Sequence, residues 1–240
     1  MFLVLLTATC FVAATISGLI GMAGGIFLLT VMLMMGMPVE QAIPLHAAIQ
    51  LSSNGTRVWA FREHIRKPAL KPFILVALPM PVLGLAIAGW LDEGVTKAVI
   101  GVLVLVAAWA PKGGLAQLKT TTAFSIAGAL SGSLGVVVGA TGPIIAPFML
   151  RDGWANEEVI ATKAAAQAFI HLQKLIAFGL AGYAMGDVLW QLPPLVVAVV
   201  AGTYCGKALL KHLSRDRFRK VYRVVLSLIA IRLLTSVLFG

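Results

Sequence analysis

The stretch that decides the fold reads Ser17-Gly18-Leu19-Ile20-Gly21-Met22-Ala23-Gly24-Gly25, and the short apolar run 26–36 follows it. The first apolar run, 2–22, therefore stops at a glycine cluster rather than at a charged loop. Glycine at that density does not continue a helix. A helix broken among apolar residues leaves backbone N–H and C=O groups that lipid cannot satisfy, so the break belongs inside protein or along a cavity. The run 26–36 is too short to cross a bilayer, which takes about 20 apolar residues. The two runs are expected to form one re-entrant unit.

The same signature returns later in the chain. Ser131-Gly132-Ser133-Leu134-Gly135 matches Ser17 to Gly21, and a second break, Gly135 to Gly142-Pro143, precedes the short run 143–150. After a small insertion the register settles at 117 residues, the difference between 157 and 40. Glu40 to Gln50 then lies over Glu157 to Gln167 with five identities in eleven positions, Glu and Gln among them. The chain divides into a first membrane repeat, 1–112, a linker, 113–117, and a second repeat, 118–240.

Composition agrees. Of 240 residues, 60% are hydrophobic and 12% charged, where a soluble domain carries about a quarter charged residues. So few charges cannot coat a surface in water, which excludes a soluble enzyme, a disordered chain and a disulfide-stapled secreted domain. The net charge of +10 does not point to nucleic acid, because the basic residues sit in short loops between apolar runs. Cys10 and Cys205 lie in apolar runs without metal-ligand spacing and read as packing residues. Residues 1–15 lack a basic leader and a cleavage site, and read as a retained helix.

Loop charges set the topology. Arg62, Arg66, Lys67 and Lys71 face only Glu63 in loop 62–71; Lys112 and Lys119 mark loop 112–119; seven basic residues face only Asp216 in 207–223. Those loops are expected in the cytoplasm. Glu40, Asp92, Glu93 and Asp187 mark outward loops, with both termini outside. The signs agree only if each glycine-broken pair returns to its own side. Each half then holds one re-entrant unit plus about three transmembrane helices (41–61, 70–91 and 95–110; 157–181, 188–210 and 217–238). Three is odd, so the second half is inverted. The expected fold is an all-α polytopic membrane protein of two inverted repeats, an architecture frequent among secondary transporters.

The nine acidic residues all fall in loops or at their edges. The ionisable groups that enter spans are His46, Arg57, Lys163, His171 and Lys174. Such groups are costly in lipid and normally face a cavity or a ligand. His46, Gln50, Asn54 and Arg57 step by four, four and three along one helix face; Lys163, Gln167, His171 and Lys174 repeat the steps, and the register superposes the two sets. No carboxylate lies on either stripe, so the counter-charge is expected from the ligand, a small anion. His46, Gln50, Asn54, Lys163, Gln167 and His171 are the candidate binding residues, with Arg57 and Lys174 along the pathway or snorkelling to an interface. Helix starts at Gly24, Gly25 and Gly142 add backbone N–H donors, because a helix N-terminus favours anions. The blander reading of the stripes is interhelical hydrogen bonding. No metal, cofactor or nucleic-acid motif accompanies them. The tryptophans fit an aromatic belt, the methionines fill irregular packing, and Arg232 is expected to snorkel.

Ser17-Gly-Leu-Ile-Gly-Met-Ala-Gly-Gly-Ile-Phe27, Met35-Gly-Met-Pro38 and the Ala47-Ala48 helix with its following basic loop resemble the sulfite exporter TauE/SafE family. The resemblance extends through both halves. It implies a multi-pass transporter, in a bacterial inner membrane, of sulfur-containing anions such as sulfite, thiosulfate or an organosulfonate like sulfoacetate. A passive anion channel using the same stripes, and an intramembrane enzyme using His46 and His171, are the alternatives; the second lacks a nucleophile or metal set. Direction of transport, the coupling ion (proton or sodium) and homo-oligomerisation stay open.

Overall fold

The computed structural model describes residues 1–20, 24–88, 118–149, 153–182 and 190–210 continuously, with 90, 92, 94, 95, 98, 99, 102, 105, 109, 151, 186, 224, 227, 228, 231, 234 and 235. Residues 21–23, the linker 113–117, most of loop 207–223, Glu93, Lys112, Asp187 and Arg232 lie outside the described residues, as do most of the runs 95–110 and 217–238.

Among the described residues the regular structure is helical. The elements are α1 (Phe2–Ile20), α2 (Gly24–Met34), α3 (Val39–Ala60), a 3-10 turn (Arg62–His64), α4 (Lys67–Ala77), α5 (Met80–Ala88), α6 (Thr120–Val138), α7 (Gly142–Met149), α8 (Asn156–Leu180) and α9 (Leu192–Leu209). Two short apolar helices, α2 and α7, thus each follow a long one and precede a longer one. With 19 residues α1 is about 28 Å long, whereas the 11 residues of α2 reach only about 16 Å, half the hydrocarbon core.

Among the described residues, three helices are long and apolar enough to cross a membrane: α1, α6 and α9. The expected single span 70–91 is instead a bent pair, α4 and α5, turning by 49°. The cause is Pro79 with Pro81. Their rings lack N–H donors, so the carbonyls of Leu75 and Ala77 lose their helical partners. Gln173 repairs part of the damage, its Nε2 donating to Ala77 O at 3.2 Å and Leu78 O at 3.0 Å. The second break is also narrower than expected. Gly135 lies inside α6, and the helix ends at Gly139, whose φ of 73° is the left-handed region that favours glycine and whose N–H returns to Gly135 O.

Packing exchanges elements between the two ends of the sequence. Leu6, Leu28, Leu45 and Val199, from α1, α2, α3 and α9, share one apolar cluster. Phe73, Phe124, Ile145 and Ile170, from α4, α6, α7 and α8, share the other. The matched motif glycines sit at these crossings: a Cβ at Gly18 would meet the Thr203 carbonyl at 2.6 Å, and one at Gly132 would meet that of Ala77 at 2.8 Å. Close backbone approach at small residues is how helices associate in lipid, where apolar burial drives nothing. Outside, the surface is apolar, with Val4 and Val82 73% exposed and Leu180 85%. Trp59, Trp90, Trp109 and Trp190 are exposed too, while Trp154 packs on Phe124 with ring centroids 5.8 Å apart. Met32 and Cys10 are core residues, whereas Met34 is exposed and Cys205 half-buried.

Candidate functional site

α3 and α8 pack against each other and against most other helices. α3 follows Pro38 and carries Pro44 in its second turn. α8 opens with Glu158 Oε2 accepting from the Ala155 N–H at 2.9 Å, one arm of a capping box whose other arm alanine cannot supply. The Glu158 carboxylate also binds the Arg66 guanidinium at 2.7 Å, which holds its carboxyl below the ordinary carboxylate range. The Arg66 N–H donates to Thr162 Oγ1 at 3.0 Å, so the end of α3 lies at the start of α8. The two helices are antiparallel.

Both polar stripes point inward. His46, Gln50, Asn54, Arg57, Lys163, Gln167, His171 and Lys174 are all buried, from 0% exposure at His46 to 8% at Gln167. The expectation that Arg57 and Lys174 reach an interface is not met. Arg57 donates from Nη2 to Asn54 Oδ1 at 2.7 Å and from Nε to Ser53 O at 3.4 Å. Lys174 donates from Nζ to the Gly139 carbonyl at the second break. Each group has a fixed acceptor inside the bundle, so its charge is held there.

The antiparallel pairing interleaves the stripes. The His46 and His171 rings meet edge to face with centroids 5.7 Å apart. Lys163, from the opposite end of its stripe, stands within electrostatic range of Arg57. His46 Nε2 lies 2.8 Å from Gly25 O, tying the stripe to the first turn of α2. Asn54 Nδ2 donates to Gln50 O at 2.7 Å, within its own helix. Gly25 and Gly142, at the starts of α2 and α7, complete the cluster. A Cβ on Gly25 would stand 3.4 Å from the Gln50 amide; one on Gly142 would stand 3.4 Å from Gln167 Nε2 and 3.8 Å from Lys163 Nζ. Gly24 differs: its missing Cβ makes room for the Ala13 carbonyl and Ser17 Oγ of α1, a packing role.

Two polar groups escaped the sequence reading, Thr141 Oγ1 and the Gly139 carbonyl, which faces the cluster through Lys174. Thr141 Oγ1, like Nδ1 of the expected His46 and His171, is buried without a hydrogen-bond partner among the described residues. Thr141 lies within the motif break and could have been found there; the Gly139 carbonyl has no side-chain signal at all. Among the described residues, no group of three His, Cys, Asp or Glu could hold a metal ion.

An apolar exterior around a buried basic core marks an integral membrane protein. Inserting a lysine or arginine at mid-membrane costs about 2.5–3.5 kcal/mol on translocon scales, so such residues face partners inside the bundle. The family profile described as Sulfite exporter TauE/SafE matches residues 6–233. The chain belongs to that family, whose membership implies a membrane transporter of sulfur anions rather than an enzyme. No curated protein and no solved structure matches it.

Proposed function

We propose that the chain is a secondary transporter moving a small sulfur-containing anion (sulfite, thiosulfate or an organosulfonate such as sulfoacetate) across a bacterial cytoplasmic membrane. His46, Gln50, Asn54, Lys163, Gln167 and His171, with the backbone N–H groups at Gly24, Gly25 and Gly142, form the anion site; Arg57 and Lys174 hold its two ends positive. The observation that carries this reading is the complete burial of both stripes between α3 and α8. An anion bound there is closed off from both sides, as alternating access requires and an open channel does not.

The halves, 1–112 and 118–240, are read as inverted repeats. Three observations support this: α3 and α8 are antiparallel, α1 packs on α9 of the second half as α6 packs on α4 and α5 of the first, and Gly25–Gln50 mirrors Gly142–Gln167 in the 117-residue register. Gln50 and Gln167 are register mates, and each lies between the two cross-helix pairings, His46 with His171 and Arg57 with Lys163, which is why they are read as lying beside the pseudo-axis. Half-helix N-termini aimed at an anion near such an axis are a recurring transporter device.

Purified protein reconstituted in vesicles tests the proposal. Uptake of thiosulfate, sulfite or sulfoacetate should saturate with concentration and exceed equilibrium when an ion gradient is imposed. Chloride and taurine, a zwitterion at neutral pH, should not compete. Flux that never saturates and never concentrates the anion would replace the transporter with a channel, and the absence of flux for all three anions would remove the function.

A further inference from the structure

The tautomer of His46 is fixed by its surroundings. Its Nε2 lies 2.8 Å from a backbone carbonyl, Gly25 O, which can only accept, so Nε2 carries the hydrogen. Nδ1 of the neutral ring is then a lone-pair acceptor, fully buried and without a partner. A buried acceptor left unmade is costly. A proton on Nδ1 would turn it into a second donor, at the cost of one more positive charge in a basic core.

The neighbours decide when that charge is acceptable. From α8, His171 meets the ring edge to face, and Lys174 lies within electrostatic range. α3 itself contributes Arg57 beyond His171, and Arg57 also faces Lys163. α2, α5, α6 and α7 bring no ionisable side chain, and α1 brings only Cys10. α9 brings Tyr204, Cys205 and Lys207, the last donating to Ala60 O at 2.6 Å at the far end of α3. Lys67 and Lys71 of α4 are exposed, and Glu40, Glu157 and Glu158 stand at helix starts. Among the described residues, the groups around the pair are cationic or neutral. An empty site therefore disfavours the extra proton, and an anion entering it favours the proton by supplying opposite charge.

We infer, resting on the anion site proposed above, that anion and proton bind as a pair, the proton on Nδ1 of His46, so that transport is proton-coupled. The proton comes from water on the open side, adds to the Nδ1 lone pair and leaves by the reverse step where the anion leaves; no other bond changes. For a monovalent anion the pair is neutral and crosses without net charge movement. Linkage makes the effect reciprocal: wherever the empty site holds His46 neutral and the occupied site holds it protonated, apparent affinity should fall about tenfold per pH unit.

Calorimetry on the purified full chain with thiosulfate, whose own charge does not change over the histidine range, reads the coupling directly. Titrations in two buffers of different protonation enthalpy count the protons taken up per anion bound. The expected wild-type count is about one through that range, where the empty site keeps His46 neutral. His46→Lys, which places at position 46 the residue found at its register mate Lys163, should bind with no proton uptake and a flat pH profile. Wild-type binding with zero proton uptake would overturn the coupling and leave the anion site standing. An unchanged count in folded, monodisperse His46→Lys protein would take the proton off His46. Absence of binding by the wild type for thiosulfate, sulfite and sulfoacetate alike would remove the anion site and the coupling with it.

Discussion

At the scale of single residues, the question is whether Lys163 holds an anion or merely a helix. It is buried near Gly142, on the same helix face as Gln167. A charge-assisted contact to an anion is worth about 1.5–3 kcal/mol. Lys163→Ala should then weaken anion binding roughly ten- to a hundredfold, since 1.4 kcal/mol is tenfold. Gln167→Ala, one turn along the same face, should cost less, about 0.5–1.5 kcal/mol for a neutral donor. If the stripes only join helices, both variants lose thermal stability while the folded fraction binds at wild-type affinity; calorimetry on monodisperse protein separates the cases. The stripes were legible in the sequence because a period of four, four and three is a property of one helix, and a duplicated one reveals itself by register. Their interleaving was not. Which residue of α3 meets which residue of α8 depends on the crossing of two helices more than a hundred residues apart, and no local pattern encodes that. For Arg57 and Lys174 the sequence left pathway and snorkelling both open for the same reason: the acceptors that keep them inside, Asn54 Oδ1 and the Gly139 carbonyl, are visible only after folding.

At the scale of elements, the two glycines that open α2 have separable duties. A Cβ on Gly24 would fall within contact distance of the Ala13 backbone carbonyl, which cannot move without shifting α1. A Cβ on Gly25 would meet only the Gln50 side-chain amide, at 3.4 Å, an ordinary contact. Gly24→Ala should therefore lower the melting temperature and spoil assembly. Gly25→Ala should fold with little thermal change and lower anion affinity, because its methyl group sits against the Gln50 amide at the start of α2. Equal thermal losses for both would mean that the hairpin, and not the site, needs Gly25. The bend between α4 and α5 makes a second case. Pro79 and Pro81 are plain in the sequence, yet the run 70–91 reads as one span because hydropathy does not register a missing N–H. Gln173 is what the bend leans on. Gln173→Leu would leave the Ala77 and Leu78 carbonyls without their donor, costing about 1–3 kcal/mol of stability. Anion affinity should hold, because Gln173 stands off both stripes; a parallel loss of affinity would place the bend within the transport machinery.

At the scale of the whole molecule, the 117-residue register makes a geometric demand. Glu40 and Glu157 are equivalent in sequence and begin α3 and α8, which run antiparallel. If the helices cross the membrane, equivalent residues must emerge on opposite sides. The side is set by charge: Arg66, in the basic loop, is tied to Glu158 at 2.7 Å, so the start of α8 belongs with that loop. By the excess of lysine and arginine in loop 62–71, both are expected in the cytoplasm. In a variant lacking Cys10 and Cys205, cysteine at position 40 should react with a membrane-impermeant maleimide from outside intact cells. Cysteines at positions 66 and 157 should react only after the membrane is opened. Labelling of 40 and 157 from the same side would remove the inversion, and with it the pairing of Gly25–Gln50 with Gly142–Gln167 across a pseudo-axis. Labelling of 66 from outside would keep the inversion but reverse the whole molecule in the membrane, making the charge count of its short loops a poor guide to orientation. The ion pair adds a control: Glu158 is held below the ordinary carboxylate range by its bond to Arg66, so the tie is complete at neutral pH and is lost as pH falls through that lowered value. Maleimide labelling at 157, normalised at each pH to that of a free thiol because the thiolate fraction itself falls with pH, should therefore be steady through the neutral range and change only in acid.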